Sequence, residues 1–237
     1  MIDTTWPSQA KAARIAGALY LVQMATAIFG ESFVRGSLIV PGDATRRAEN
    51  IIESERLFRV GIATDILTYV AVLSLVWALY VLLRPVNRNL ALLAAMLRLL
   101  ELATHFAATL FSLVAVNYLG GADHLKSFEP AQLHSLARVA ITAQATGLNV
   151  GFVLVGLGSS VFAYLLLKSR YVPRVLAAWG IFSSLLLAAY AITFIVNPPL
   201  VSIWIPWMIP MGIYEVGLGF WLLIKGADLR AGPAGAV

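Results

Sequence analysis

Six long apolar stretches occupy almost the whole of this 237-residue sequence, and they limit the chain to a helical membrane fold. Each stretch can cross a bilayer as a helix, since a helix rises about 1.5 Å per residue and the hydrocarbon core is about 30 Å thick. The chain is 60% hydrophobic and 12% charged, whereas soluble domains have about 25% charged residues. We therefore predict an all-α polytopic membrane protein, a bundle of six transmembrane helices with short outer amphipathic helices.

The predicted spans are separated by charged or turn-forming residues. They cover residues 15–34, 61–83, 90–118, 140–167, 175–196 and 207–224. The third and fourth spans are longer than a bilayer needs, so they tilt or project. The first span also fits a secretory signal with a cleavage site at Ala25-Thr26-Ala27, but its apolar run continues through Phe33 and Val34, which favours a retained anchor.

Basic residues predict the orientation of the chain. Two short basic connections, residues 84–88 and 168–174, lie on the same side as both termini. That side carries nine Lys and Arg residues against seven on the other, and short loops follow the positive-inside rule best. We expect one domain over residues 1–237, with residues 1–12 and a disordered tail, 227–237, both cytoplasmic.

The two longer loops, predicted to be outside, carry signals of helices of their own. Asp43 is a candidate N-cap, and Ile51 and Phe58 follow at helical spacing. In the second loop Pro130 suits a first helical turn, and Leu133 follows on one face. Both loops are expected to form short amphipathic helices on the membrane surface.

Eight polar residues fall inside the predicted spans at similar depths, and they form the candidate ligand-binding set. They are Glu31, Asp65, Arg98, Glu101, His105, Gln144, Asn149 and Glu215. One charge at a helix centre costs about 2.5–3.5 kcal/mol, so these groups must face each other, water or a ligand. With four acids and one Arg, internal pairing neutralises only part of the set.

Arg98, Glu101 and His105 lie at i, i+3 and i+7 on one face of the third span. For Arg98, an ion pair with Glu101 or Glu215 that holds helices together and a ligand contact both fit the sequence. Glu215 lies between Gly212 and Gly217, small residues that permit close helix approach.

Other members of the set have simple structural interpretations. Glu31 lies near the end of its span and can reach water. Asp65 can cap a helix or pair with Arg59, six residues earlier. His105 is a candidate helix-contact residue that hydrogen-bonds to a neighbouring helix, or a metal ligand.

No complete motif of a known reaction is present. The chain lacks cysteine, which excludes disulfides and thiolate metal sites. The Gly147-x-x-x-Gly151 spacing in the fourth span favours a helix-packing face over a phosphate loop, since nothing resembling a strand precedes it. The excess of basic residues lies in loops between spans, so no nucleic-acid partner is expected.

The chain resembles a bacterial six-helix membrane family, the domain of unknown function 4386. The resemblance spans residues 13–226 and rests on Arg14-Ile15-Ala16-Gly17, Glu31-Ser32-Phe33-Val34-Arg35, Pro41-Gly42-Asp43-Ala44-Thr45, Leu57-Phe58-Arg59-Val60-Gly61, Leu83-Arg84-Pro85-Val86-Asn87 and Trp221-Leu222-Leu223-Ile224-Lys225-Gly226. It implies a six-helix fold in the cytoplasmic membrane and no agreed activity. It also implies that Glu31, Asp65, Arg98 and Glu215 belong to a shared pattern. Relatives often carry His and Asp where this chain has Gln144 and Asn149, which weakens a metal or proton-relay role here.

Three functions are compatible with these observations. The leading hypothesis is binding or transport of a small polar or anionic molecule, with the bilayer as the other partner. An alternative is an intramembrane enzyme with a metal held by Asp65, Glu101, His105 and Glu215, since carboxylate and imidazole suit Zn, Mn or Fe. A third is a structural scaffold without ligand. The sequence identifies no cofactor, and it is compatible with a homo-oligomer.

Overall fold

The computed structural model describes residues 9–38, 44–120, 125, 127–200 and 208–229, and these residues are almost entirely helical. Helix α1 covers Gln9–Ile28 and continues as a π-helical segment, Phe29–Arg35, and a last helical turn, Gly36–Leu38. The remaining helices are α2 (Ala44–Glu53), α3 (Glu55–Leu83), α4 (Arg88–Leu119), α5 (Pro130–Ser169), α6 (Arg174–Val196) and α7 (Met208–Ile224). No strand occurs in this part of the chain. The all-α prediction is confirmed.

Five helices are long and apolar enough to cross a membrane: α1 with its extension to Leu38, α3, α4, α5 and α6. The sixth predicted span is the shorter apolar helix α7, with 17 residues, at the lower end of the usual range of about 17–25. Large apolar side chains on these helices are exposed, such as Leu67 at 62% and Val139 at 66%. Repeated exposure of this kind is stable against lipid, and the chain is a polytopic membrane protein.

Two predicted spans are longer in the structure at the ends joined to the predicted outer loops. Helix α3 begins at Glu55 and α5 begins at Pro130, several residues before the predicted starts. Pro130 is in the first turn as predicted, but the helix that it begins continues into the span instead of ending as a separate helix. With 40 residues, α5 is about 60 Å long, roughly twice the hydrocarbon thickness.

The first of the two loops contains the predicted short helix, α2. Its candidate N-cap, Asp43, lies outside the described residues, and Phe58 belongs to α3 rather than to α2. Ile51 of α2 is fully buried while its neighbour Ile52 is 46% exposed. The helix therefore packs one apolar face against the protein, as an amphipathic helix should.

Contacts divide the chain into two compact units. Unit 1 comprises Met1–Met24, Val70–Leu102 and Asn149–Val237, and unit 2 comprises Ala25–Tyr69 and Ala103–Leu148. Helices α1, α3, α4 and α5 contribute one part to each unit, α2 belongs to unit 2, and α6 and α7 belong to unit 1.

Unit 1 is held together by helices that approach closely at glycines. A Cβ on Gly17 of α1 would lie 2.7 Å from the carbonyl oxygen of Gly219 on α7. A Cβ on Gly156 of α5 would lie 2.5 Å from the carbonyl oxygen of Ser184 on α6. At both points the helix backbones touch without an intervening side chain, which is the common mode of helix packing in membranes.

Gly212 and Gly217, the small residues beside Glu215, are not points of tight contact. A Cβ on Gly212 would meet only Met24 Cε at 3.7 Å, and one on Gly217 only Leu176 Cδ1 at 3.6 Å. Both are ordinary van der Waals distances, so a Cβ fits at both positions. Helix α7 makes its close contact with α1 at Gly219.

Unit 2 has an apolar core built from α1, α2, α3, α4 and α5. Its buried residues are Val34, Leu38, Ile51, Phe58, Ile62, Ala115, Val116, Ala137, Ala140 and Ile141. A Cβ on Gly61 would lie 2.8 Å from Val34 Cγ1, and one on Gly147 would lie 2.8 Å from Ala108 Cβ. The predicted packing role of Gly147 is therefore confirmed.

Candidate functional site

The eight candidate residues lie in two groups, one in each unit. Unit 1 contains Arg98, Glu101, Asn149 and Glu215, and unit 2 contains Glu31, Asp65, His105 and Gln144. Some members of each group form a polar cluster together with neighbours that were not among the candidates.

The Arg98 cluster of unit 1 is built from three helices. It consists of Tyr20 and Gln23 of α1, Arg98 and Glu101 of α4, and Tyr214 and Glu215 of α7. Arg98 is 5% and Glu101 3% exposed, and Arg98 Nη1 lies 3.4 Å from Glu101 Oε2. The i, i+3 spacing brings the two side chains together on α4, and an ion pair with Glu101 was one of the interpretations that the sequence left open for Arg98.

Glu215 joins the cluster through α1. Its Oε2 accepts a hydrogen bond of 2.9 Å from Gln23 Nε2, and Arg98 is close enough to attract its charge. The hydroxyls of Tyr20 and Tyr214 are buried beside it. One guanidinium therefore interacts with two carboxyl groups.

Hydrogen bonding in the Arg98 cluster is incomplete. Arg98 Nη1 and the Tyr214 hydroxyl are buried, and neither forms a hydrogen bond with a residue that the structure describes. The 3.4 Å separation from Glu101 is long, since charge-assisted N–H···O bonds are about 2.7–2.9 Å. A buried polar group without a partner costs about 1–3 kcal/mol, so these two groups are suited to an added acceptor.

Gly158 of α5 makes room for the Arg98 side chain. A Cβ at this position would lie 2.9 Å from Arg98 Cγ and 3.2 Å from the carbonyl oxygen of Ala94. The aliphatic part of Arg98 therefore packs directly on the α5 backbone. This contact fixes the guanidinium beside Glu101.

The polar cluster of unit 2 is an ion-pair network around Arg35. The Arg35 guanidinium binds both carboxylate oxygens of Asp65, one of them through Nη2 and the other through Nη1 at 3.2 Å. Arg35 Nη1 also lies 3.1 Å from Glu31 Oε2. The expected pairing of Asp65 with Arg59 is wrong, because Arg59 Nε instead binds Glu55 at 2.7 Å. The long Arg35 side chain reaches across from α1 to α3.

The π-helical segment at the end of α1 carries two members of this network. The Gly36 N–H donates to the Glu31 carbonyl, an i to i−5 bond that widens the turn. The Glu31 side chain is 68% exposed, whereas that of Arg35 is 13% exposed. The segment thus presents Arg35 to Asp65 and leaves Glu31 open to its surroundings, as its place near the end of the span suggested.

His105 and Gln144 occupy the helical interior of unit 2. His105 Nε2 lies 3.2 Å from the Leu148 carbonyl oxygen, and its ring centroid lies 5.8 Å from that of Tyr69. Tyr69 in turn hydrogen-bonds Thr109 at 3.1 Å. Gln144 is 5% exposed, and its Nε2 has no hydrogen-bond partner among the described residues. The helix-contact interpretation of His105 fits this geometry.

The metal interpretation has no geometric support. Within the described part of the chain, no three His, Asp or Glu side chains lie together in a way that could hold a metal ion.

Sequence reasoning missed Arg35, Gln23, Tyr20 and Tyr214. Arg35 was assigned to a loop because it follows the last apolar residues of its span, although its i, i+4 spacing from Glu31 was a signal of pairing. Gln23 was visible as a polar residue inside an apolar span, three positions after Tyr20. Tyr214 had no signal beyond its position next to Glu215.

The long apolar helices and the buried polar clusters define an all-α integral membrane protein whose spans carry paired charges. The chain belongs to the family described as domain of unknown function DUF4386, whose model matches residues 15–226. The resemblance seen in the sequence is thereby confirmed. Comparison with curated proteins and with solved structures gives no match.

Proposed function

We propose that the protein binds a small polar molecule at the Arg98 cluster. The observation that carries the proposal is the pair of buried donors, Arg98 Nη1 and the Tyr214 hydroxyl, that make no hydrogen bond with a described residue. Arg98 offers a charged donor and Tyr214 a neutral one to added acceptor groups. Carboxylate, phosphate or carbonyl oxygens of a ligand are acceptors of this kind.

The charges of the cluster narrow the chemistry of the ligand. With Glu101 and Glu215 ionised, the one positive charge of Arg98 is outnumbered. Two unit charges 4 Å apart interact by about 4 kcal/mol at an effective dielectric constant of 20, so an added anion is repelled unless a proton or cation accompanies it. A zwitterion avoids this cost, because its cationic group can face Glu215 while its acceptor faces Arg98. We therefore favour a zwitterion, or a small anion taken up with a proton.

The same proposal places the protein in the bacterial cytoplasmic membrane with both termini cytoplasmic. The nine Lys and Arg residues on the side of the termini, concentrated in short connections, support this orientation. Binding sites inside spans are typical of transporters, so transport is the next step to test once a ligand is found.

The test is a binding assay on the full chain in lipid nanodiscs. The probes are glycine, glutamate, acetate and inorganic phosphate, each followed by calorimetry and by the shift in unfolding temperature. Arg98→Gln should weaken binding of the active probe at least about tenfold, the loss expected for one charge-assisted hydrogen bond. Arg59→Gln is the matched control, since Arg59 forms an ion pair with Glu55 outside the cluster.

Tyr214→Phe separates binding from structure. Because the hydroxyl lacks a partner among the described residues, its removal should leave the free energy of unfolding without ligand unchanged or raise it. Ligand affinity should still fall by about fivefold, for a loss of about 1 kcal/mol. If both variants fold and bind every active probe as the wild type does, the Arg98 cluster is not the binding site.

A further inference from the structure

A recess of about 630 Å³ opens on unit 1, and it shares no residue with the Arg98 cluster. One wall is the connection between α5 and α6, and the other is the end of α7 with the segment after it. The lining residues are Arg170, Tyr171, Val172, Pro173, Trp221, Lys225, Gly226, Ala227, Asp228 and Leu229. The Asp228 N–H donates to the Tyr171 carbonyl at 3.0 Å and ties the two walls together.

The charge on the lining is positive. Arg170 and Lys225 are exposed, and neither forms an ion pair with a described residue. Asp228 is the one acidic lining residue, so two positive charges face a single negative one. Two cations at the mouth of one recess are suited to a phosphate group.

The apolar part of the lining suits a site at a membrane surface. Trp221 lies one helical turn before Lys225 at the end of α7, and Val172 is a buried residue of the opposite wall. Trp side chains prefer the level of the lipid headgroups at the ends of spans. A lipid headgroup with its glycerol would therefore meet cations and an aromatic ring at once.

The backbone of Arg170 adds an independent observation. Its φ of 59° is the one positive φ of a non-glycine residue in the described part of the chain. This position directly follows the end of α5, where glycine is preferred because a Cβ is strained in the left-handed conformation. An arginine stands there at a conformational cost, which a function of its side chain would explain.

We propose that this recess binds the headgroup of an anionic membrane lipid, with the lipid phosphate held between Arg170 and Lys225. The lipid contacts are independent of the ligand proposed for the Arg98 cluster. A soluble phosphate offers the same chemistry without the apolar glycerol, so the two sources can be separated by competition.

The test measures lipid binding to the detergent-purified full chain by native mass spectrometry. Phosphatidylglycerol should bind more tightly than phosphatidylcholine. The double variant Arg170→Gln/Lys225→Gln should lower the affinity for phosphatidylglycerol about 10- to 30-fold. Lys168→Gln/Arg174→Gln is the matched control, because it removes the same charge from exposed residues near the same connection that do not line the recess. Its effect should be much smaller.

Arg170→Gly tests the site without endangering the fold. Glycine relieves the left-handed backbone, so the unfolding temperature should stay equal or rise while affinity for phosphatidylglycerol falls about tenfold. An interaction of Arg170 with the α5 helix dipole alone predicts the reverse, a lower unfolding temperature with lipid affinity kept. Equal losses in the control variant would reduce the effect to diffuse surface charge and overturn the proposal. Displacement of the lipid by millimolar inorganic phosphate would show that the recess binds free phosphate, and it would overturn the assignment to a lipid.

Discussion

The contact between Gly180 of α6 and Tyr214 of α7 gives the sharpest structural prediction. A Cβ on Gly180 would lie inside the contact distance of the Tyr214 ring carbons and 2.9 Å from its hydroxyl oxygen. Tyr214 is completely buried, so its ring cannot swing out of the way. Gly180→Ala must therefore move α6 and α7 apart or displace a member of the Arg98 cluster.

The size of the effect follows from two opposing contributions. Replacing glycine by alanine inside a helix, where the added Cβ meets no close neighbour, stabilises the fold by about 0.5–1 kcal/mol. Overpacking a rigid contact destabilises by about 1–3 kcal/mol. Gly212→Ala in α7 receives only the first contribution, because its Cβ would meet Met24 Cε at 3.7 Å. Both variants gain the first contribution, so they should differ by the overpacking alone, about 1–3 kcal/mol in the free energy of unfolding.

The measurement is reversible denaturation in mixed micelles, followed by circular dichroism. Gly180→Ala should unfold earlier than the wild type, and Gly212→Ala should unfold at the same point or later. Gly180→Ala/Tyr214→Leu should recover part of the loss, since the smaller flexible side chain can yield. A Gly180→Ala variant as stable as Gly212→Ala would refute the close packing of α6 on α7.

Two further predictions concern the buried charges. Arg98→Met should destabilise the chain by about 3–5 kcal/mol because Glu101 loses its cation, and Glu101→Gln in that background should restore a large part in the same denaturation assay. Additive effects of these two changes would contradict the ion pair. Arg35→Gln should cost about 2–3 kcal/mol, because Asp65 loses a two-point partner whose side chain is only 13% exposed. Arg59→Gln should cost less than about 1 kcal/mol, since its pair is exposed, and equal losses in the two variants would count against a network centred on Arg35.

The helices were predictable because hydropathy acts over long stretches. The end set by a short basic connection was placed well, since α3 ends at Leu83 as predicted. Pro130 was identified as a first helical turn, but the helix that it begins is α5 itself and not a separate short helix. The start of α3 was placed too late, because Glu55, Arg56 and Arg59 are polar and a scan for apolar residues does not include them in the span. They form a helix whose exposed face carries the Glu55–Arg59 pair.

The partners of the buried charges were less predictable, because sequence gives depth along a helix but not the direction in which a side chain points. Glu101 was among the partners considered for Arg98, since both lie on one helix at a known spacing. For Asp65 the one partner considered was Arg59 of its own helix, whereas its partner is Arg35, 30 positions earlier in the chain. A choice between neighbours on different helices depends on how the helices are rotated, which periodicity alone leaves undetermined.

The two clusters neutralise charge in different ways, and this difference decides which one is the better candidate for a ligand site. In unit 2 the Arg35 guanidinium is satisfied at two points by Asp65, and the extra carboxylate, Glu31, is 68% exposed and so is not desolvated. In unit 1 Glu101 is 3% exposed, and the Arg98 guanidinium meets it only at 3.4 Å. A ligand would add little stability to a network whose buried charged groups already have partners. The Arg98 cluster has two carboxyl groups for one guanidinium, and it has buried donors without a hydrogen-bond partner among the described residues, so added ligand atoms can stabilise it. A purely structural cluster would be expected to resemble the one around Arg35.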